Sequence, residues 1–150
     1  MRELGELVVA EARGWIGTPY LHQASVQGAG ADCLGLLRGV WRGVIGAEPE
    51  PVPAYTPDWA EPERIEALWQ AALRHLDGKA LANAANGDVL LFRMRDGAIA
   101  KHLGIAARVG AAEGASFIHA YSGHGVVESP LSEPWRRRIV ARFAFPKGAA

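Results

Sequence analysis

The order of the periodic segments predicts an α+β fold, with N-terminal helices packed on a C-terminal antiparallel β-sheet. Apolar residues recur at helical spacing in three stretches before residue 77, and short runs rich in β-formers follow from residue 87. Helices followed by strands favour separate layers over alternating βαβ units. The 150 residues, 49% hydrophobic and 21% charged, are enough for one domain with its own core.

Three helices precede the strands in this prediction. Residues 4–12 place their apolar side chains on one helical face, residues 33–46 form the second helix, and about residues 62–76 form the third. Residues 48–60 are too rich in proline for a helix or a central strand. They are predicted to be a surface insertion within a single domain of residues 1–150.

Five short strands are predicted after the helices. Each is separated from the next by Gly, Asp or Ser residues that are typical of turns. The predicted strands are residues 88–92, 101–106, 116–121, 125–128 and 139–143.

Composition excludes several classes of protein. The formal net charge is zero and the isoelectric point is about 7.0, which gives no electrostatic reason to expect binding to nucleic acid or to a membrane surface. One cysteine excludes an internal disulfide and a thiolate-rich zinc site, and we expect neither a metal nor a cofactor. No stretch reaches the roughly 20 apolar residues of a membrane span. The acidic N-terminus lacks the pattern of a signal peptide, so we expect synthesis in the cytoplasm without one.

The single cysteine, Cys33, follows a glycine-rich loop and Asp32 and precedes a helical pattern. This order places the thiol in the first turn of a helix, where free N–H groups and the helix dipole lower a thiol pKa. A thiolate in that position is a candidate nucleophile. The alternative is a small buried apolar residue beside the leucines that follow it.

Two histidines lie inside predicted neighbouring strands, His102 and His119. A cysteine nucleophile needs a base to take its proton and a polar group to orient that base. A helix carrying Cys33 on this sheet would bring the three side chains together. The alternatives are an exposed edge residue for His102 and a hydrogen-bonded core histidine for His119.

Five segments together resemble the NlpC-type cell-wall cysteine endopeptidases, in order and in spacing, along nearly the whole chain. They are Gly17-Thr18-Pro19-Tyr20, Asp32-Cys33-Leu34-Gly35-Leu36, Gly87-Asp88-Val89-Leu90-Leu91-Phe92, His102-Leu103-Gly104-Ile105 and Phe117-Ile118-His119-Ala120.

The resemblance implies a papain-like fold and a role for each matching residue. Cys33 matches the nucleophile, His102 the general base and acid, and His119 the residue that orients His102. Tyr20 would aim its hydroxyl at the substrate carbonyl, beside an oxyanion site to which the Cys33 N–H contributes. Asp32 matches the position that helps to bind the free amine of the peptidoglycan stem peptide.

Two further histidines and two departures concern the cleft. His124, in a glycine turn, competes with His119 for the third role and is expected at the rim. His22 lies near Tyr20 and is either a substrate contact or a plain loop residue. Many members have Ser where this chain has Leu34, and a Gly-Gly pair where it has His22-Gln23-Ala24. Both departures are at positions that line the cleft in the family, so they bear on the substrate rather than on the chemistry.

The function implied by the resemblance is hydrolysis of an amide bond in the stem peptide, typically between γ-D-glutamate and the diamino acid. Residues 21–25 and the proline-rich insertion resemble the branch found in tail modules of phages and gene transfer particles. The expected partners are therefore tail or baseplate hub proteins, and the expected site of action is the envelope or periplasm of a target cell. The alternatives are a tail-hub structural protein with little activity and a papain-like amidase or acyltransferase.

Overall fold

The computed structural model describes residues 3–49, 67–94, 100–109 and 114–146. The elements within these ranges are α1 (Leu4–Arg13), β1 (Ser25–Val26), β2 (Gly30–Ala31), α2 (Cys33–Val44), α3 (Ala67–His75), β3 (Asp77–Lys79), β4 (Val89–Arg93), β5 (Ala100–Arg108), β6 (Ser116–Tyr121), β7 (Gly125–Pro130), α4 (Glu133–Arg136) and β8 (Ile139–Ala144).

The main sheet has six strands in the order β3-β8-β4-β5-β6-β7, and every neighbouring pair is antiparallel. This confirms the predicted α+β fold. All five predicted strands are present, within one to two residues at either end. The predicted helix start at residues 62–66 and the insertion from residue 50 onward lie outside the described residues.

The sheet separates two apolar clusters because successive strand side chains point to opposite faces. On one face α1 and α2 pack against the sheet, with Val8 and Val40 buried among Leu91 and Ile105. The cluster on the other face is built from Leu90, Phe92, Ala106, Ala115, Phe117 and Leu131, with Trp135 of α4 packed against it.

A buried ion cluster joins strands β3 and β8 to the loop before β4. The Asp88 carboxylate accepts hydrogen bonds from Lys79 Nζ at 2.9 Å, Arg142 at 2.7 Å and the Ala85 N–H at 2.8 Å. Arg142 Nε also donates to the Leu81 carbonyl at 3.1 Å. Asp88 is 2% exposed, so this charge is stabilised by its partners rather than by water.

Candidate active site

Asp32 fixes the start of helix α2 and therefore the position of Cys33. Its carboxylate accepts one hydrogen bond from the Gly35 N–H at 2.7 Å, which caps the helix. The other oxygen accepts from the Gln23 N–H at 2.7 Å. Both contacts hold the loop before the helix, and Cys33 becomes the first helical residue.

The Tyr20 loop lies directly against this helix start. Tyr20 forms a parallel bridge with Ala31. The loop is so close that the Cβ atom of any residue other than glycine at position 35 would overlap the Ala24 carbonyl. Burial, with Cys33 and Asp32 nearby, raises the pKa of Tyr20 to about 12. The phenol is therefore protonated at neutral pH and able to donate a hydrogen bond.

The sulfur of Cys33 lies against the strand that carries His102. Its thiol donates to the Lys101 carbonyl at 3.7 Å, and the Leu103 N–H donates to the sulfur. These two peptide groups flank His102 on either side. The thiol therefore contacts the backbone on both sides of His102, the residue predicted to act as its base.

His102 and His119 form a direct hydrogen bond on β5 and β6. His102 Nε2 lies 2.8 Å from His119 Nδ1, and His119 Nε2 lies 3.0 Å from Ser129 Oγ on β7. His119 is fully buried and His102 is 8% exposed. His102, His119 and Ser129 thus form a continuous relay of hydrogen bonds. The relay uses Nε2 of His102 but not its Nδ1.

Aromatic rings enclose the histidine pair on the sheet face away from α1 and α2. The Trp135 ring lies 5.7 Å from the His102 ring and 5.1 Å from the His119 ring, measured between centroids. Phe92 lies 5.6 Å from His102, and Phe117 lies 4.2 Å from His119. These rings bury most of both imidazoles and restrict their motion.

His124 and His22 lie outside the relay. His124 is exposed and stacks on Tyr121, with the ring planes 8° apart and the centroids 5.1 Å apart. His22 Nδ1 lies 3.7 Å from the Asp32 carboxylate, on the loop beside Tyr20. The geometry therefore gives His119, rather than His124, the hydrogen bond to His102.

Burial raises the pKa of Cys33 to about 12, and the nearby Asp32 carboxylate adds to this. Hydrogen bonds from the backbone N–H groups of Leu103, Leu34 and Cys33 itself oppose the rise without reversing it. The lowered thiol pKa predicted from the helix position is therefore wrong for this resting structure. The helix terminus supplies the expected donors, but desolvation of the sulfur outweighs them.

We expect alkylation of Cys33 by iodoacetamide to be slow at pH 6 and to accelerate continuously up to pH 10. The reason is that the reactive thiolate is scarce until the pH approaches the raised pKa. Mass spectrometry of protein quenched at intervals gives the rate at each pH. A rate that is already maximal at pH 6–7 would contradict this expectation and indicate a resting thiolate–imidazolium pair.

Both histidines of the relay are neutral at pH 7. Burial and the neighbouring His119 lower the pKa of His102 to about 3, and burial together with His124 lowers that of His119 to about 4. Unfolded histidines bind protons below about pH 6.5, whereas these remain neutral in the folded chain. The stability they contribute is therefore complete above pH 6.5 and is lost as the pH falls towards 3.

Lowering the pH from 7 to 4 is expected to reduce the melting temperature by an amount on the order of 10 °C. The reason is that the two buried neutral histidines cost a few kcal/mol of folding stability at low pH. Differential scanning calorimetry at 0.5-unit intervals measures it. The His119→Gln variant lacks one of the titrating rings and should show a shallower fall. An unchanged melting temperature down to pH 4 would contradict the buried neutral state.

Sequence reasoning missed Ser129 and Trp135. The hairpin turn at residues 122–124 sets the register of β6 and β7, which pairs His119 with Val127 and Phe117 with Ser129. Ser129 is therefore diagonal to His119 on the same sheet face, and this hairpin register was a usable signal. Trp135 sits on a four-residue helix whose docking no local pattern indicates.

The described residues offer neither a metal-binding cluster nor a helix that could span a membrane. No group of three or more His, Cys, Asp or Glu side chains there is arranged to hold a metal ion. None of the helices in the described ranges is long and apolar enough to cross a membrane.

A helix-borne thiol beside a strand-borne histidine pair, on an α+β fold, has the arrangement of papain-like cysteine hydrolases. The NlpC/P60 family model matches residues 17–143. The chain belongs to the NlpC/P60 family, whose members are typically cysteine peptidases that hydrolyse peptidoglycan.

Solved structures of this family have the same fold. The NlpC/p60 domain of the peptidoglycan hydrolase SagA is 25% identical with a TM-score of 0.62, over 94% of this chain and 98% of that one. An NLP/P60 protein similar to a lipoprotein from Staphylococcus aureus is 18% identical (TM-score 0.62, 97% of this chain, 42% of that chain). NlpC2 from Trichomonas vaginalis is also 18% identical (TM-score 0.62, 97% and 48%). The chain thus spans less than half the length of these last two proteins. A search of curated proteins found no match.

Proposed function

We propose that this domain is a cysteine endopeptidase that hydrolyses an amide bond of peptidoglycan stem peptides, between γ-D-glutamate and the diamino acid. The observation that carries the proposal is the relay from His102 through His119 to Ser129, set beside a helix-borne thiol. Membership of a family of peptidoglycan hydrolases supports the choice of substrate.

In the proposed mechanism Cys33 attacks the amide carbon while its proton passes to His102 Nδ1. The thiolate and imidazolium form together with no net charge, so the pair avoids part of the cost that burial imposes on either ion alone. His102 then gives the proton to the leaving amine, which breaks the C–N bond and leaves a thioester. Water then attacks the thioester carbon while His102 accepts a proton from it. The C–S bond breaks, the new carboxyl group leaves, and His102 returns the proton to the sulfur, which regenerates the thiol.

Tyr20 and the Cys33 N–H are proposed to stabilise the negative oxygen of the tetrahedral intermediate. The Cys33 N–H lies at the helix N-terminus, Tyr20 is close enough to interact electrostatically with Cys33 and Asp32, and the raised pKa of Tyr20 keeps its hydroxyl a donor. Asp32 is proposed to attract the free amine of the stem peptide, in addition to capping the helix. His22, 3.7 Å from that carboxylate, and His124 are proposed to line the cleft.

We also propose that the domain acts as part of a phage-like tail, in contact with hub proteins, within the envelope of a target cell. The resemblance of residues 21–25 to the tail-module branch supports this role. Proteomic analysis of purified tail particles is the test. The chain should copurify with hub proteins, and its absence from intact particles would contradict the role.

The test of the enzymatic proposal is incubation with synthetic stem peptides that each offer one type of bond, followed by mass spectrometry. New carboxylate and amine termini at the γ-D-glutamyl bond are expected. A muramyl peptide included in the set offers the bond between the sugar and the first alanine, and its cleavage would instead establish an amidase. An acyl adduct on an added amine would establish an acyltransferase. Inert peptides would favour the structural tail-hub alternative.

A further inference from the structure

We infer that Ser129 is a positioning residue, which holds His119 in the tautomer that leaves His102 free to act as a base. The inference rests on the proposed function, since it concerns the proton transfer from Cys33 to His102. Ser129 Oγ lies 3.0 Å from His119 Nε2, and His119 Nδ1 lies 2.8 Å from His102 Nε2.

The hairpin register makes this contact a fixed property of the sheet. Phe117 pairs with Ser129 and His119 pairs with Val127, so the serine and both β6 side chains share one sheet face. Ser129 is partly buried and His119 is fully buried. A buried imidazole N–H without an acceptor is costly, so the hydroxyl is a necessary partner rather than an incidental neighbour.

Each neutral imidazole carries one proton, and this fixes the order of donors along the relay. For His102 Nδ1 to accept the Cys33 proton, the proton of His102 must be on Nε2 and must be donated to His119 Nδ1. His119 then carries its own proton on Nε2 and donates it to Ser129 Oγ. The opposite order, with Ser129 donating, puts a proton on His102 Nδ1 and blocks the base.

The same direction of hydrogen bonds, from His102 through His119 to Ser129, is also suited to the step in which His102 is positively charged. When His102 is an imidazolium, its Nε2 still donates to His119 Nδ1, so no partner has to reverse during turnover. A wrong tautomer at a catalytic histidine is known to be very costly to turnover in hydrolases with this logic. Ser129 acts one hydrogen bond further away, and its removal is therefore expected to have a smaller effect.

The tautomer can be measured directly by two-bond ¹H–¹⁵N correlation spectra of protein labelled in its histidine rings, at pH 7. In the wild type the His119 proton is expected on Nε2. In Ser129→Ala the proton is expected to move, at least partly, to Nδ1, whereas Ser129→Thr keeps the hydroxyl and should retain the wild-type spectrum. Ser122→Ala, in the exposed turn of the same hairpin, is the matched control.

The kinetic expectation for Ser129→Ala is a kcat about tenfold lower, the equivalent of one lost hydrogen bond, at unchanged KM. Ser129→Thr is expected to restore kcat. A wild-type proton on His119 Nδ1, or a Ser129→Ala variant with both tautomer and kcat unchanged, would overturn the inference. A wild type that cleaves no peptide overturns the proposed function alone, because the spectra still determine the tautomer.

Discussion

Cys33→Ala is expected to lower the turnover of the cleaved stem peptide by about 10⁴-fold or more. The reason is that the substitution removes the only sulfur nucleophile of the chain while the relay of histidines remains in place. The melting temperature should change little, since the substitution removes a single heavy atom and alanine favours a helix. Liquid chromatography of the peptide products measures the loss.

Cys33→Ser supplies a close control of the same size. It keeps a hydroxyl at the same atom position but lacks the acidity and nucleophilicity of sulfur, so it too should be inactive. Ser122→Ala, on an exposed turn, should retain wild-type turnover. Retention of a tenth or more of the activity in Cys33→Ala would show that another group performs the attack.

Asp88→Ala is expected to lower the free energy of unfolding by about 3–5 kcal/mol, with a fall in melting temperature on the order of 10 °C. The substitution leaves Arg142 as a buried guanidinium without its carboxylate partner, and Lys79 loses the same partner. The Ala85 N–H loses its acceptor as well. Urea unfolding followed by circular dichroism measures the change.

A more exposed ion pair is the matched control for this prediction. Glu48 accepts hydrogen bonds from Arg38 and Arg42 near the surface, where water replaces lost partners. Glu48→Ala is therefore expected to cost about 1 kcal/mol or less. An equal loss of stability in the two variants would contradict the importance assigned to burial at Asp88.

Much of the fold was predictable because its signals are local. The helical spacing before residue 77 and the short β-prone runs after residue 87 gave the α+β order, and the five longer strands were located. The strands β1, β2 and β3 were missed, since two or three residues carry no periodicity. Helix α4, of four residues, was missed for the same reason, although its Trp135 packs against both His102 and His119.

The candidate site was predictable in its residues but not in its electrostatics. Cys33 at a helix start and two histidines in strands are patterns that a sequence displays, and the structure places His102 and His119 in contact. The sign of the Cys33 pKa shift depends on how deeply the sulfur is desolvated, which only the packed chain determines. The contact between Ser129 and His119 follows from the pairing of β6 with β7, and no feature of the serine itself indicates it.

The central claim is a thiol-dependent attack on peptidoglycan, and digestion of purified sacculi tests it most directly. Sacculi are incubated with the wild type and with Cys33→Ala, and the soluble fragments are identified by mass spectrometry. The expected result is release of stem-peptide fragments by the wild type alone. Equal release by both proteins, or intact sacculi with both, would contradict the account.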